Sequence, residues 1–99
     1  MEGKAKDAFK KFCYENDYTL FTENEKYKDL EMFNNALIIE WLDSVKLNAY
    51  IVPVKSGWFS CIRNGDNDLT HGFFIDRESA TEAAIKKAVE IYNEKYKEQ

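Results

Sequence analysis

Apolar residues recur at helical spacing through the first half of this chain, alternate through the middle, and return to helical spacing at the end. From Lys4 to Glu15, residues Ala5, Ala8, Phe9, Phe12 and Cys13 fall on one side of a helix. Lys4, Asp7, Lys10, Lys11 and Tyr14 take the other side, and Asn16-Asp17 marks a stop. Thr22-Glu23-Asn24-Glu25 fits a capping box, with Thr at the N-cap and Glu three positions on. It predicts a second helix running to about Leu47. The stripe of that helix is Tyr27, Leu30, Phe33, Leu37, Trp41 and Val45, widened by Ile38 and Leu42. Met32, Ile39 and Leu47 lie outside the stripe, so the helix is apolar around much of its circumference. Such a helix sits centrally in a core or carries a partner-binding face. The run Ala36 to Leu42 also reads as a buried strand, but helical spacing continues on both sides of it.

Asn48 is the expected end of that helix. Ala49 to Val54 reads as a first strand, rich in aromatic and β-branched residues. Pro53 within it cannot donate to a ladder, which places the strand at a sheet edge or a bulge. Ser56-Gly57 is a hairpin signal. Trp58 to Arg63 is the second strand, Asn64 to Asp68 a polar loop, and Thr70 to Asp76 the third strand. Ser79, with Glu82 three residues on, predicts the cap of a last helix from about Ala80 to Tyr96. Its apolar half carries Ala80, Ala84, Ile85, Ala88, Val89, Ile91, Tyr92 and Tyr96. Glu82 and Lys86 stand at the favourable i,i+4 spacing on the other half.

The predicted fold is therefore α+β, in the order α-α-β-β-β-α, with all 99 residues in one domain. Hairpin-length connections make the three-stranded sheet antiparallel, and helices gathered mainly on one face leave the other wet or available to a partner.

Composition narrows the function classes. The chain is 44% hydrophobic and 15% aromatic, enough for one core, and its net charge of −4 disfavours non-specific binding to nucleic acid or anionic membranes. Cys13 and Cys61 have no C-x-x-C spacing and read as reduced core residues of a cytosolic protein. The charged N-terminus lacks the apolar segment of a signal peptide, and no run is long enough for a membrane helix, so a cytoplasmic location is expected, in its own cell or a host cell.

Candidate chemistry is sparse. His71 is the only histidine and has no evident activating partner, although a Cys61–His71 pair across adjacent strands is conceivable. Asn64, Asp66 and Asp68 resemble the start of a calcium loop, but Leu69 and Ile75 occupy the positions that need Gly and Glu. Two cysteines and one histidine cannot fill a structural zinc site. No glycine-rich phosphate loop is present. The cluster Lys4, Lys6, Lys10 and Lys11 is broken by Asp7 and reads as a solvated helix face. No catalytic residue, metal ligand or cofactor is expected.

The aromatic residues are more informative. Trp58 and Phe59 must face opposite sides of their strand, and so must Phe73 and Phe74. One member of each pair points away from the face the last helix covers. Exposed strand aromatics form a binding surface. The candidate interaction residues are Trp41, Trp58, Phe59, Phe73, Phe74, Lys86 and Lys87.

The stretch from Ala49 to Lys97 resembles the double-stranded RNA-binding domain in element order, with three antiparallel strands before a C-terminal helix. Glu82 to Tyr92 is similar to that family's alanine-rich last helix. The family's lysine cluster at the start of this helix grips phosphates. Here the corresponding positions read Arg77-Glu78-Ser79-Ala80-Thr81-Glu82. The whole chain also resembles small proteins of phages and mobile elements of gut bacteria, which often end in a strand and a helix of the Arg77-Glu78-Ser79-Ala80…Ile91-Tyr92-Asn93 type. The expectation is a non-enzymatic interaction module that binds a protein partner or itself, with degenerate duplex-RNA binding as the alternative. No small-molecule substrate is evident.

Overall fold

The computed structural model describes residues 3–16 and 31–96. Its described elements are α1 (Gly3–Glu15), α2 (Glu31–Ser44), β1 (Leu47–Val54), β2 (Gly57–Asn64), β3 (Asn67–Phe74) and α3 (Arg77–Tyr96). The order is α-α-β-β-β-α and the sheet is antiparallel with β2 central, as the sequence pattern predicts. The Thr22–Glu25 capping box, Tyr27 and Leu30 lie outside the described residues.

The segment Ala36 to Leu42 is helical, within α2. Leu37, Trp41 and Leu42 bury their side chains, and Ile38 and Ile39 are half-buried against them. The helix ends before Leu47. Lys46 adopts a left-handed φ of 63°, and its N–H donates to the Asp43 carbonyl at 3.1 Å. That reversal releases Leu47 and Asn48 into β1, two residues earlier than the aromatic run indicates.

β1 is an edge strand, consistent with Pro53. It pairs with β2 from Leu47↔Asn64 to Val54↔Gly57, so Lys55 and Ser56 form the turn. Gly57 is needed for room: a Cβ there would lie 2.7 Å from Cζ of Phe73. The polar segment 64–68 is no wide loop. Gly65 has a left-handed φ of 64° and turns the chain with Asp66, so that Asn67 and Asp68 join β3. Ser60 then faces Gly72 while Cys61 faces Thr70. His71 is left over as the extra residue of a bulge.

α3 starts at Arg77, three residues before the expected start. Its N-cap is Asp76, whose Oδ1 accepts from the Ser79 N–H at 2.8 Å while Oδ2 accepts from the Ser79 hydroxyl at 2.9 Å. Ser79 thus completes a cap that sequence spacing had assigned to it. Ala80, Ala84, Ile85 and Ala88 are buried, and α3 lies across all three strands. α2 packs on β1 and α3, and α1 packs on both helices. Asn93 of α3 fixes the start of α1: its Oδ1 accepts from the Ala5 N–H at 2.8 Å. Ala5, Phe9 and Cys13 close the core from that side.

Candidate interaction face of the sheet

Alternation along the strands divides the sheet into two unequal faces. Leu47 and Ala49 of β1 and Ser60 and Ile62 of β2 are buried towards the helices. The intervening residues project from the opposite face, in rows set by the register. One row is Val52, Phe59 and Phe73; the next is Tyr50, Cys61 and Thr70; a third is Asn48, Arg63 and Asp68. Val54 extends the first row towards the β1–β2 turn.

This open face is apolar at its centre. Tyr50, Val52, Val54, Phe59 and Phe73 are each between 36% and 44% exposed, a cluster of large apolar side chains on adjacent strands. The Phe59 and Phe73 rings meet edge to face, 5.5 Å between centroids, and the Phe73 ring covers the bare backbone of Gly57. Cys61 is buried in the next row with its sulfur 4.0 Å from Oγ1 of Thr70. It is a free thiol, but outside the main core, whereas Cys13 lies within it. Burial, with Glu40 nearby, pushes the Cys13 thiol up, so it stays protonated at neutral pH.

At one end of the face the charges close on each other. Nε of Arg63 donates to Oδ1 of Asp68 at 2.9 Å, and the Tyr50 hydroxyl donates to the same oxygen at 3.2 Å. The guanidinium hydrogen bond holds the Asp68 carboxyl below the usual carboxylate range. Desolvation, then the bond to Asp68, pushes the Tyr50 hydroxyl up, which keeps it a donor.

The structure separates the sequence-predicted residues into four settings. Phe59 and Phe73 stand on the open face. Their neighbours Trp58 and Phe74 pair on the helix side, both half-buried. Lys86 is exposed on α3, and Lys87 beside it forms an ion pair with Glu90 at 3.7 Å. Trp41 requires correction as an interaction residue. It is 2% exposed and wedged between Phe9 and Tyr92, so no partner can reach it without unfolding the helix layer. Its position on an unusually apolar helix reflects α2 meeting α1, α3 and the sheet together.

Sequence reasoning missed Tyr50, Val52 and Val54 as surface residues. Their period-two spacing opposite Ala49 and Ile51 was the available signal. His71 is exposed on its bulge, and the polar neighbour of Cys61 is Thr70. Among the described residues no cluster of His, Cys, Asp and Glu could hold a metal ion, and no helix is long and apolar enough to cross a membrane. No known family, curated protein or solved structure matches this chain. The class its fold defines is a two-layer α+β domain in which, among the described residues, no element covers the second face of the sheet.

Proposed function

We propose that this protein is a non-enzymatic interaction module whose working surface is the open face of the sheet. The observation that carries the reading is the row Val52–Phe59–Phe73 with Tyr50 and Val54 beside it, apolar, contiguous and exposed. Side chains turned away from the core contribute little to folding, and apolar ones gathered on a rigid sheet favour contact with another protein. The neutralised trio Arg63, Asp68 and Tyr50 supplies a polar rim at one end.

The test is selection of peptides from a random display library, followed by mapping of the bound site through amide chemical shifts. The expected footprint covers Val52, Phe59 and Phe73 and is lost in Val52→Glu. Peptides that map to the helix layer, or a library that yields none, would overturn the reading.

A second reading, degenerate duplex-RNA binding, draws support from the α2-β1-β2-β3-α3 order with both helices on one face. Against it stands the start of α3, where Asp76 occupies the capping site and Glu78 follows. A duplex-RNA titration separates the two. Binding with steep salt dependence that weakens in Lys86→Glu/Lys87→Glu would favour the second reading.

A further inference from the structure

We infer that the occupant of the open face is a second copy of this chain, packed face to face in a weak, reversible homodimer. The inference rests on the reading above and names the partner. Charge is the first argument. The protein carries −4, so two copies meet with least repulsion through a surface without net charge. Across the three rows of the open face the charged side chains are Arg63 and Asp68, and they are bonded to each other. The face therefore offers no excess of either sign to repel its own copy or to select an oppositely charged protein.

Symmetry is the second argument. A dimer of identical chains is isologous, so the patch must complement itself. A two-fold axis along the row Val52–Phe59–Phe73 lays that row against its own counterpart. It also lays Val54 of each copy towards the Tyr50–Cys61 row of the other. Apolar meets apolar along the central row, each contact off the axis occurs twice, and the Arg63–Asp68 pairs fall at the two rims.

Area sets the strength. Five side chains about two-fifths exposed, three of them aromatic and two valine, offer roughly 300–400 Å² of surface, given that a whole aromatic side chain presents about 150–250 Å² and a valine less. That is about half of the roughly 800 Å² per partner of a standard interface. The dimer is accordingly concentration-dependent, with a dissociation constant on the order of micromolar or weaker.

Sedimentation velocity of the full chain from about 1 µM to 1 mM provides the test across that range. The expected result is a weight-average sedimentation coefficient that rises from monomer towards dimer. Phe59→Glu and Phe59→Lys should each stay monomeric, and an equimolar mixture of the two should associate again, because the two-fold sets position 59 beside itself. Dilution-dependent chemical shifts of the unmodified protein give the same answer without a substitution, and should be confined to Val52, Val54, Phe59, Phe73 and Tyr50. A wild type that stays monomeric throughout would overturn the inference, as would a dimer untouched by both substitutions or shifts confined to the helix layer. Should dimerisation fail while display peptides still map to the face, the homodimer is wrong and the interaction-module reading stands. Should peptides map elsewhere as well, both fall.

Discussion

Truncating Trp41 to alanine measures how much of the fold depends on one side chain. The indole is 2% exposed, with ring centroids 6.0 Å from Phe9 and 5.0 Å from Tyr92, both edge to face. It thus joins α2 to α1 and α3 at once. A buried Trp→Ala change costs about 3–5 kcal/mol through lost transfer energy and the cavity left behind. Each edge-to-face partner contributes a further ~0.5–1.5 kcal/mol beyond area, so the upper part of that range, about 4–5 kcal/mol, is expected here. Set against the ~5–15 kcal/mol total of a domain this size, that is roughly a quarter or more of the stability. The assay is urea unfolding followed by far-UV circular dichroism, with Trp58 retained as a fluorescence reporter. The comparison variant is Phe59→Ala on the open face. Phe59 is 37% exposed and its main partner is Phe73 across the strand, so the expected loss is about 1 kcal/mol. A Trp41→Ala loss under about 2 kcal/mol, or a Phe59→Ala loss equal to it, would refute the division between core and open face.

Other perturbations test separate parts of the fold. Ala88, fully buried on α3 where it crosses the sheet, has no room for a larger side chain, so Ala88→Leu should cost about 1–3 kcal/mol in the same urea assay. Lys46 holds a left-handed φ of 63° that costs a non-glycine residue about 1–2 kcal/mol, and after the entropy glycine loses on folding, Lys46→Gly should gain about 0.5–1 kcal/mol. Asp76 and Asp68 both have carboxyls held below their ordinary values, Asp76 by the Ser79 N–H and hydroxyl and Asp68 by Arg63. A depressed folded-state pKa stabilises the protein above the unfolded value of about 3.9, and that contribution is lost as pH falls through the lower folded value. Thermal melts should therefore show Asp76→Asn less stable than wild type at neutral pH, with the gap narrowing as pH drops through the carboxylate range; a gap independent of pH would contradict the cap.

Much of this fold can be read from the sequence, because spacing and burial agree. The α1 stripe of Ala5, Phe9 and Cys13 and the α3 stripe of Ala80, Ala84, Ile85 and Ala88 are buried as predicted. Pro53 marks an edge strand as predicted. Boundaries moved where side chains compete for the same backbone groups. At α3 both Asp76 and Ser79 can cap, and the carboxylate takes the Ser79 N–H, drawing the helix start forward. At the β2–β3 turn, Asp68 reads as loop by polarity, yet its bond to Arg63 across the ladder draws it into the strand and leaves His71 as the bulge.

The site was partly legible. Alternation alone requires Phe59 and Phe73 to face away from Trp58 and Phe74. Which member of each pair meets the helices depends on register, and register depends on a bulge that no local pattern displays. Trp41 was ambiguous for a related reason. A helix apolar on several sides fits an interface or a centre equally well until the packing of α1 across it is known.

The central claim is that one face of this sheet is uncovered and apolar. Paramagnetic relaxation by a water-soluble, uncharged probe measures that directly on the dilute monomer. Strong broadening should appear at the Val52 and Val54 methyls and the Phe59 and Phe73 rings, with none at Leu42 or Ile62, which are fully buried. Protection of Val52 and Phe59 equal to that of Ile62 would show the face covered within a single chain, and the proposed interaction surface would not exist.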